Sequence, residues 1–140
     1  MAGWRSVDEI IAYQLSVKLR DKILALANGP PIAKDFDFKD QIVSAAASAP
    51  SNISEGFDLY GHGRFAYHVE VAMASLAELK DHLDDGRKRG YLDDATVETL
   101  EALRLEAKRT ATGLYKHLKT SEAPSPSWAK ERPTRKRKTG

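Results

Sequence analysis

Six cations crowd the last eleven residues, KERPTRKRKTG: Lys130, Arg132, Arg135, Lys136, Arg137 and Lys138, against the single acid Glu131. A run of this kind attracts phosphate without reading sequence, through about five or six contacts whose combined strength falls steeply with salt. Trp128 beside it offers a face on which a base can stack. The competing reading of the same run is a solubilising tail. The whole chain carries +2, from 22 basic and 20 acidic residues; residues 130–140 carry +5, which leaves −3 on the other 129. The attraction for nucleic acid that a basic protein suggests therefore belongs to the end of the chain and not to its body.

Other chemistry is sparse. The chain has no cysteine, which excludes disulfides, thiolate zinc sites, iron–sulfur clusters and thiol catalysis. Di-iron bundles need Glu-x-x-His on two helices, but the residues three before His68, His82 and His117 are Phe65, Leu79 and Leu114. No metal or other cofactor is expected. Glu78 and His82 are one helical turn apart and could pair at the surface. Gly61-His62-Gly63 follows no strand and lacks Gly-Lys-Ser/Thr, so it reads as a turn rather than a phosphate cradle. No nucleophile and base stand at a telling spacing, so the chain is expected not to be an enzyme.

Four polar residues are candidates of a different kind: Asn52, Glu55, Ser75 and Glu78. They could line a ligand or catalytic pocket. The structural reading is preferred, a hydrogen-bond network that caps the helix at Pro50 and fixes helix register, because buried polar groups must find partners.

These residues are positioned by helices. Ser6 and Glu9 fit a capping box opening a first segment to about Asn28, with Ile11, Leu15, Leu19, Ile23 and Leu26 on one face. Asn28-Gly29-Pro30-Pro31 stops it. A second segment runs from near Asp37 to about Gly56. Its small residues, Ala45 to Ala49, invite a close neighbour; Pro50 predicts a kink or break, and Gly56 a left-handed terminal residue. The third is the strongest: Phe65, Val69, Ala72, Leu76, Leu79 and Leu83 hold an a/d spacing on a helix from about Gly63 to Arg89. Arg87, Lys88 and Arg89 suit its C-terminal dipole, and Gly90 ends it. The fourth opens at Asp93 or Asp94 and buries Val97, Leu100, Leu103, Ala107, Ala111, Leu114 and Leu118.

The aromatics Phe36, Phe38, Phe57, Tyr60, Phe65 and Tyr67 fall at the two ends of the second helix, as core anchors or as a subunit interface. With 140 residues, 41% of them hydrophobic, the chain has one core. Short connections predict an all-α, up-down-up-down antiparallel four-helix bundle over residues 1–119. Residues 120–140, Pro/Ser-rich and then basic, predict a disordered tail. No run of about 18 apolar residues would span a membrane. MAGWRSVDEI lacks a secretory h-region, and a cytoplasmic protein is expected.

The segment QIVSAAASAPSNISEGF, residues 41–57, resembles the signature of the 23S rRNA intervening-sequence protein family, Q-[IL]-R-R-A-A-x-S-I-P-A-N-I-A-E-G-F. Gln41, Ile42, Ala45, Ala46, Ser48, Pro50, Asn52, Ile53, Glu55, Gly56 and Phe57 match. Ala72, Ser75, Leu76, Glu78 and Leu79 resemble the family's A-x-G-S-L-x-E-L run, and Gly90-Tyr91-Leu92 its helix connection. Val43 and Ser44 stand where the family has paired arginines, and Leu59 where a basic residue usually follows E-G-F. The resemblance implies a four-helix bundle assembling as a homopentamer without enzymatic activity. It also implies a likeness to accessory subunits of reverse transcriptases in diversity-generating retroelements, which bind polymerase and nucleic acid.

The expected function is that of an oligomeric accessory or scaffold protein binding RNA or DNA, with a reverse transcriptase as one such partner. Its phosphate contacts are expected at the six basic tail residues, helped by Arg87, Lys88 and Arg89. The alternative is a protein–protein adaptor that does not touch nucleic acid, favoured by the net acidic body.

Overall fold

A computed structural model describes residues 3–59 and 61–120. It contains four α-helices: α1 (Ile11–Ala27), α2 (Phe36–Asp58), α3 (His62–Lys88) and α4 (Asp94–Leu118). Each helix packs on its neighbours in sequence, α4 closes the ring against α1, and the diagonal pairs stay more than 8 Å apart between Cα atoms. This is the antiparallel four-helix bundle that the short connections require. No strand occurs among the described residues.

α3 is the central rod. Phe65, Val69, Ala72, Leu76, Leu79 and Leu83 are all buried, as their spacing predicts. α4 buries Leu100, Leu103, Ala107, Ala111, Leu114 and Leu118 against it, with Val97 half-buried. Asp93 caps α4, its carboxylate accepting from the Thr96 amide at 2.7 Å. The α3 end is a Schellman arrangement: Tyr91 N–H donates to the Gly86 carbonyl (2.9 Å) and Gly90 N–H to the Arg87 carbonyl (3.0 Å). Gly90 supplies the left-handed residue, at φ +75°, a conformation that strains any side chain with a Cβ.

Several expectations are corrected. Ser6 does not open α1. Residues Val7–Glu9 form a separate 3-10 turn, in which Ser6 Oγ accepts from the Asp8 amide and Glu9 accepts from the Arg5 amide. Extended Ile10 (φ −84°, ψ 118°) then separates it from α1. The face α1 buries is Ala12, Ser16, Leu19, Ile23 and Ala27. Ile11 is 60% exposed and Leu26 37%, because the ring of neighbours rotates α1 toward its small residues. Pro50 neither breaks nor ends α2, which continues through it to Asp58 with Pro50 buried. Gly56 has no left-handed conformation. It lies inside α2, where a Cβ would meet His68 Cβ at 2.7 Å and Phe65 Cδ1 at 3.0 Å. Its role is close approach of α2 to α3, and the cap falls to Leu59, whose N–H bonds the Glu55 and Gly56 carbonyls.

Candidate functional site

α2 and α3 share a polar seam beside Pro50. Ser75 Oγ donates to the Val71 carbonyl on its own helix (3.1 Å). The Ser48 hydroxyl then donates to Ser75 Oγ across the interface (2.7 Å). Asn52 Nδ2 donates to the Ser48 carbonyl (2.8 Å) and to Ser48 Oγ (3.1 Å). With its amide nitrogen so used, Asn52 presents Oδ1 to His68 Nδ1 at 3.1 Å, which assigns the proton to Nδ1. The donors run one way, from His68 through Asn52 and Ser48 to Ser75 and the α3 backbone. Each hydroxyl and amide proton of the chain is consumed within it, so the seam fixes the register of the two helices.

Of the four polar residues singled out by sequence, Asn52 and Ser75 lie in this seam. Glu55 and Glu78 do not. Glu55 is exposed at an open groove between α1 and α2 that Tyr13, Arg20, Ser51 and Asp58 also line. Glu78 is exposed and pairs with His82 at 3.3 Å, as its spacing predicts. Gln41 is exposed near the start of α2. Ser48 and His68 were the missed members. The Ser48–Asn52 spacing of four was legible, but their α3 partners depend on how the two helices are rotated.

A second cluster sits where α3 ends and α2 begins. Asp35 caps α2 through the Phe38 amide (3.2 Å), accepts the Tyr91 phenol (2.7 Å), and meets Arg89 Nη1 at 3.3 Å. The Tyr91 hydrogen bond first, then the Phe38 amide, hold the Asp35 carboxyl below its ordinary value. The same bond pushes the Tyr91 phenol up. Arg89 also bonds Asp85 at 3.0 Å and lies 5.7 Å over the Phe38 ring, and Asp85 holds its guanidinium in the charged form. Arg89 thus ties the end of α3 to the start of α2, with its side chain 48% exposed. Arg87 and Lys88 are exposed beside it.

One buried charge was not foreseen. Arg104 on α4 is 4% exposed. Its Nε and Nη2 bond both carboxylate oxygens of Glu101, and Nη1 donates to the Leu76 carbonyl on α3 at 3.2 Å. Glu101 is lowered, first by that hydrogen bond, and Arg104 is raised by it. Its register, four residues after Leu100 and three before Ala107, sets it at the edge of the α4 apolar stripe.

Among the described residues no three His, Asp or Glu side chains gather as a metal site requires, and no helix is long and apolar enough to cross a membrane. Lys130, Arg132, Arg135, Lys136, Arg137 and Lys138 lie outside the described residues.

Fold and seam together define a class, the small antiparallel four-helix bundle whose long α2 motif is keyed to α3. The chain belongs to the 23S rRNA-intervening sequence protein family, whose model matches residues 8–113. It is similar in structure to a protein of unknown function from the S23 ribosomal protein family of Bacteroides thetaiotaomicron. That crystal structure superposes with a TM-score of 0.70 over 76% of this chain and 96% of the other, at 17% identity, a likeness of fold. The comparison with curated proteins found no match.

Proposed function

We propose that this chain is a non-enzymatic, oligomeric accessory or scaffold protein that binds RNA or DNA, and that a reverse transcriptase is one partner it serves. The observation that carries the reading is a +5 run of eleven residues appended to a bundle of a family named for intervening sequences in 23S rRNA. A polycationic run supplies sequence-tolerant phosphate contacts. A bundle assembled as a homopentamer would present five such runs, and linked weak contacts gain avidity. Exposed Ile11, Leu24, Leu26 and Leu105 supply apolar surface for contact between subunits.

Deleting residues 130–140 is expected to weaken salt-sensitive binding in a mobility-shift assay with RNA and with DNA. Unchanged affinity rejects the tail mechanism. Light scattering is expected to return about five times the 15.5 kDa of one chain; the mass of a monomer rejects the assembly. A complex with a basic protein that survives nuclease, with no binding to either nucleic acid, would favour the adaptor reading instead.

A further inference from the structure

From Ala107 to Thr120 the chain reads AKRTATGLYKHLKT, with four cations and no acid. Continued to the C-terminus, residues 107–140 hold ten basic and two acidic side chains, a formal +8, against −6 on the first 106 residues. The division of charge falls inside α4 and not at its end.

The antiparallel fold turns this into a spatial separation. Around the α3–α4 turn stand Asp84, Asp85, Asp93 and Asp94, with Asp35 and Asp37 beside them at the start of α2. Arg87 and Lys88 sit in that acidic surround, and Arg89 is tied to two of its carboxylates. α4 begins there and runs to the opposite end, about 36 Å away at roughly 1.5 Å per residue.

At about 100° per residue, Lys108, Lys119, Lys116 and Arg109 fall within an arc of roughly 100° on α4. Arg109, Lys116 and Lys119 are exposed and Lys108 is half-buried. None of the four forms an ion pair with a described residue. At this end Asp8 and Glu9 are engaged in the Ser6–Glu9 turn, and Glu55 and Asp58, in the last turn of α2, flank the groove against α1. The helix dipole accounts for cations in the last turn but fades beyond it, which leaves Lys108 and Arg109 without a structural reason.

We infer that this arc of α4 is the bundle's own docking face for a nucleic-acid phosphate backbone. It rests on the nucleic-acid reading above and moves the bundle's contact away from Arg87–Arg89 to the far end of α4.

The test uses the full chain carrying K108Q/R109Q/K116Q/K119Q. Glutamine nearly matches lysine and arginine in helix propensity, so the circular-dichroism melt is expected to be preserved. Binding to a fluorescent oligouridylate of about 20 nucleotides is expected to weaken about tenfold or more at low salt, with a salt slope shallower by roughly 2–3. R87Q/K88Q is expected to leave affinity within about twofold. A quadruple variant that binds like the wild type, while removal of residues 130–140 weakens binding, overturns the face and leaves the nucleic-acid reading standing. Equal loss per charge in both variants shows that net charge alone is sensed, and also overturns it. No binding by the wild type overturns the reading and the face together.

Discussion

Gly56 of α2 and His68 of α3 approach so closely that a Cβ on the glycine would stand 2.7 Å from the histidine Cβ. The contact lies one turn from Asn52, whose Oδ1 meets the same histidine. Close backbone approach and the polar seam are thus one device: the glycine lets the helices near enough for the hydrogen bonds to form.

Gly56→Ala is expected to destabilise the fold. Helix propensity alone would stabilise it by about 1 kcal/mol, but overpacking against backbone-anchored atoms costs about 1–3 kcal/mol. Gly113→Ala on α4, where an added Cβ meets nothing within 4 Å, is the control and is expected to stabilise by roughly 0.5–1 kcal/mol. Urea melts of the two variants should move in opposite directions; a stabilised Gly56→Ala refutes the close-packing role.

Ser16 is 1% exposed and its hydroxyl has no partner among the described residues. Burial of an unmet hydroxyl costs about 1–3 kcal/mol. Ser16→Ala is expected to raise the melting temperature. A loss of stability would mean that the hydroxyl is bonded in solution.

The Asp35–Tyr91 bond predicts a pH dependence at both ends of the scale. Asp35 has a lowered carboxyl pKa, so its contribution is complete above the unfolded value near 4 and is lost as pH falls through the lower folded value. Tyr91 has a raised phenol pKa, so its contribution is complete below about 10 and is lost as pH rises through the folded value. Tyr91→Phe is expected to lower stability at neutral pH and to flatten both limbs. Chemical melts at pH 3, 7 and 10.5, roughly bracketing these windows, check it; unchanged limbs in the variant remove Tyr91 from the linkage.

Glu101 and Arg104 predict an order rather than a single value. Glu101→Ala leaves a guanidinium that is 4% exposed with the Leu76 carbonyl as its remaining hydrogen-bond partner and the Asp84 charge nearby, at a cost of about 2–4 kcal/mol. Arg104→Met keeps the stem's volume and leaves Glu101, 28% exposed, able to reach water. It is expected to cost less, about 1–2 kcal/mol. The reverse order in denaturant melts would show that packing of the arginine stem, and not its charge, matters most.

Within α3 and α4 the sequence was a reliable guide. The α3 stripe from Phe65 to Leu83, the α4 stripe from Leu100 to Leu118, the Asp93 cap and the Gly90 terminus are all set by interactions within a few residues, so their spacing alone reveals them. The four-helix architecture follows, because stripes on rods joined by short links have few ways to hide together. Tertiary structure decided everything that depends on rotation and axial offset between rods. That offset put Ala12 and Ser16 inside and Ile11 outside, made Gly56 a contact rather than a cap, and joined Ser48 and Asn52 to His68 and Ser75. It also sank Arg104 against the Leu76 carbonyl and set the cations of α4 at the end opposite Arg89. A helix's own periodicity carries no record of which neighbour will face it, or at what height.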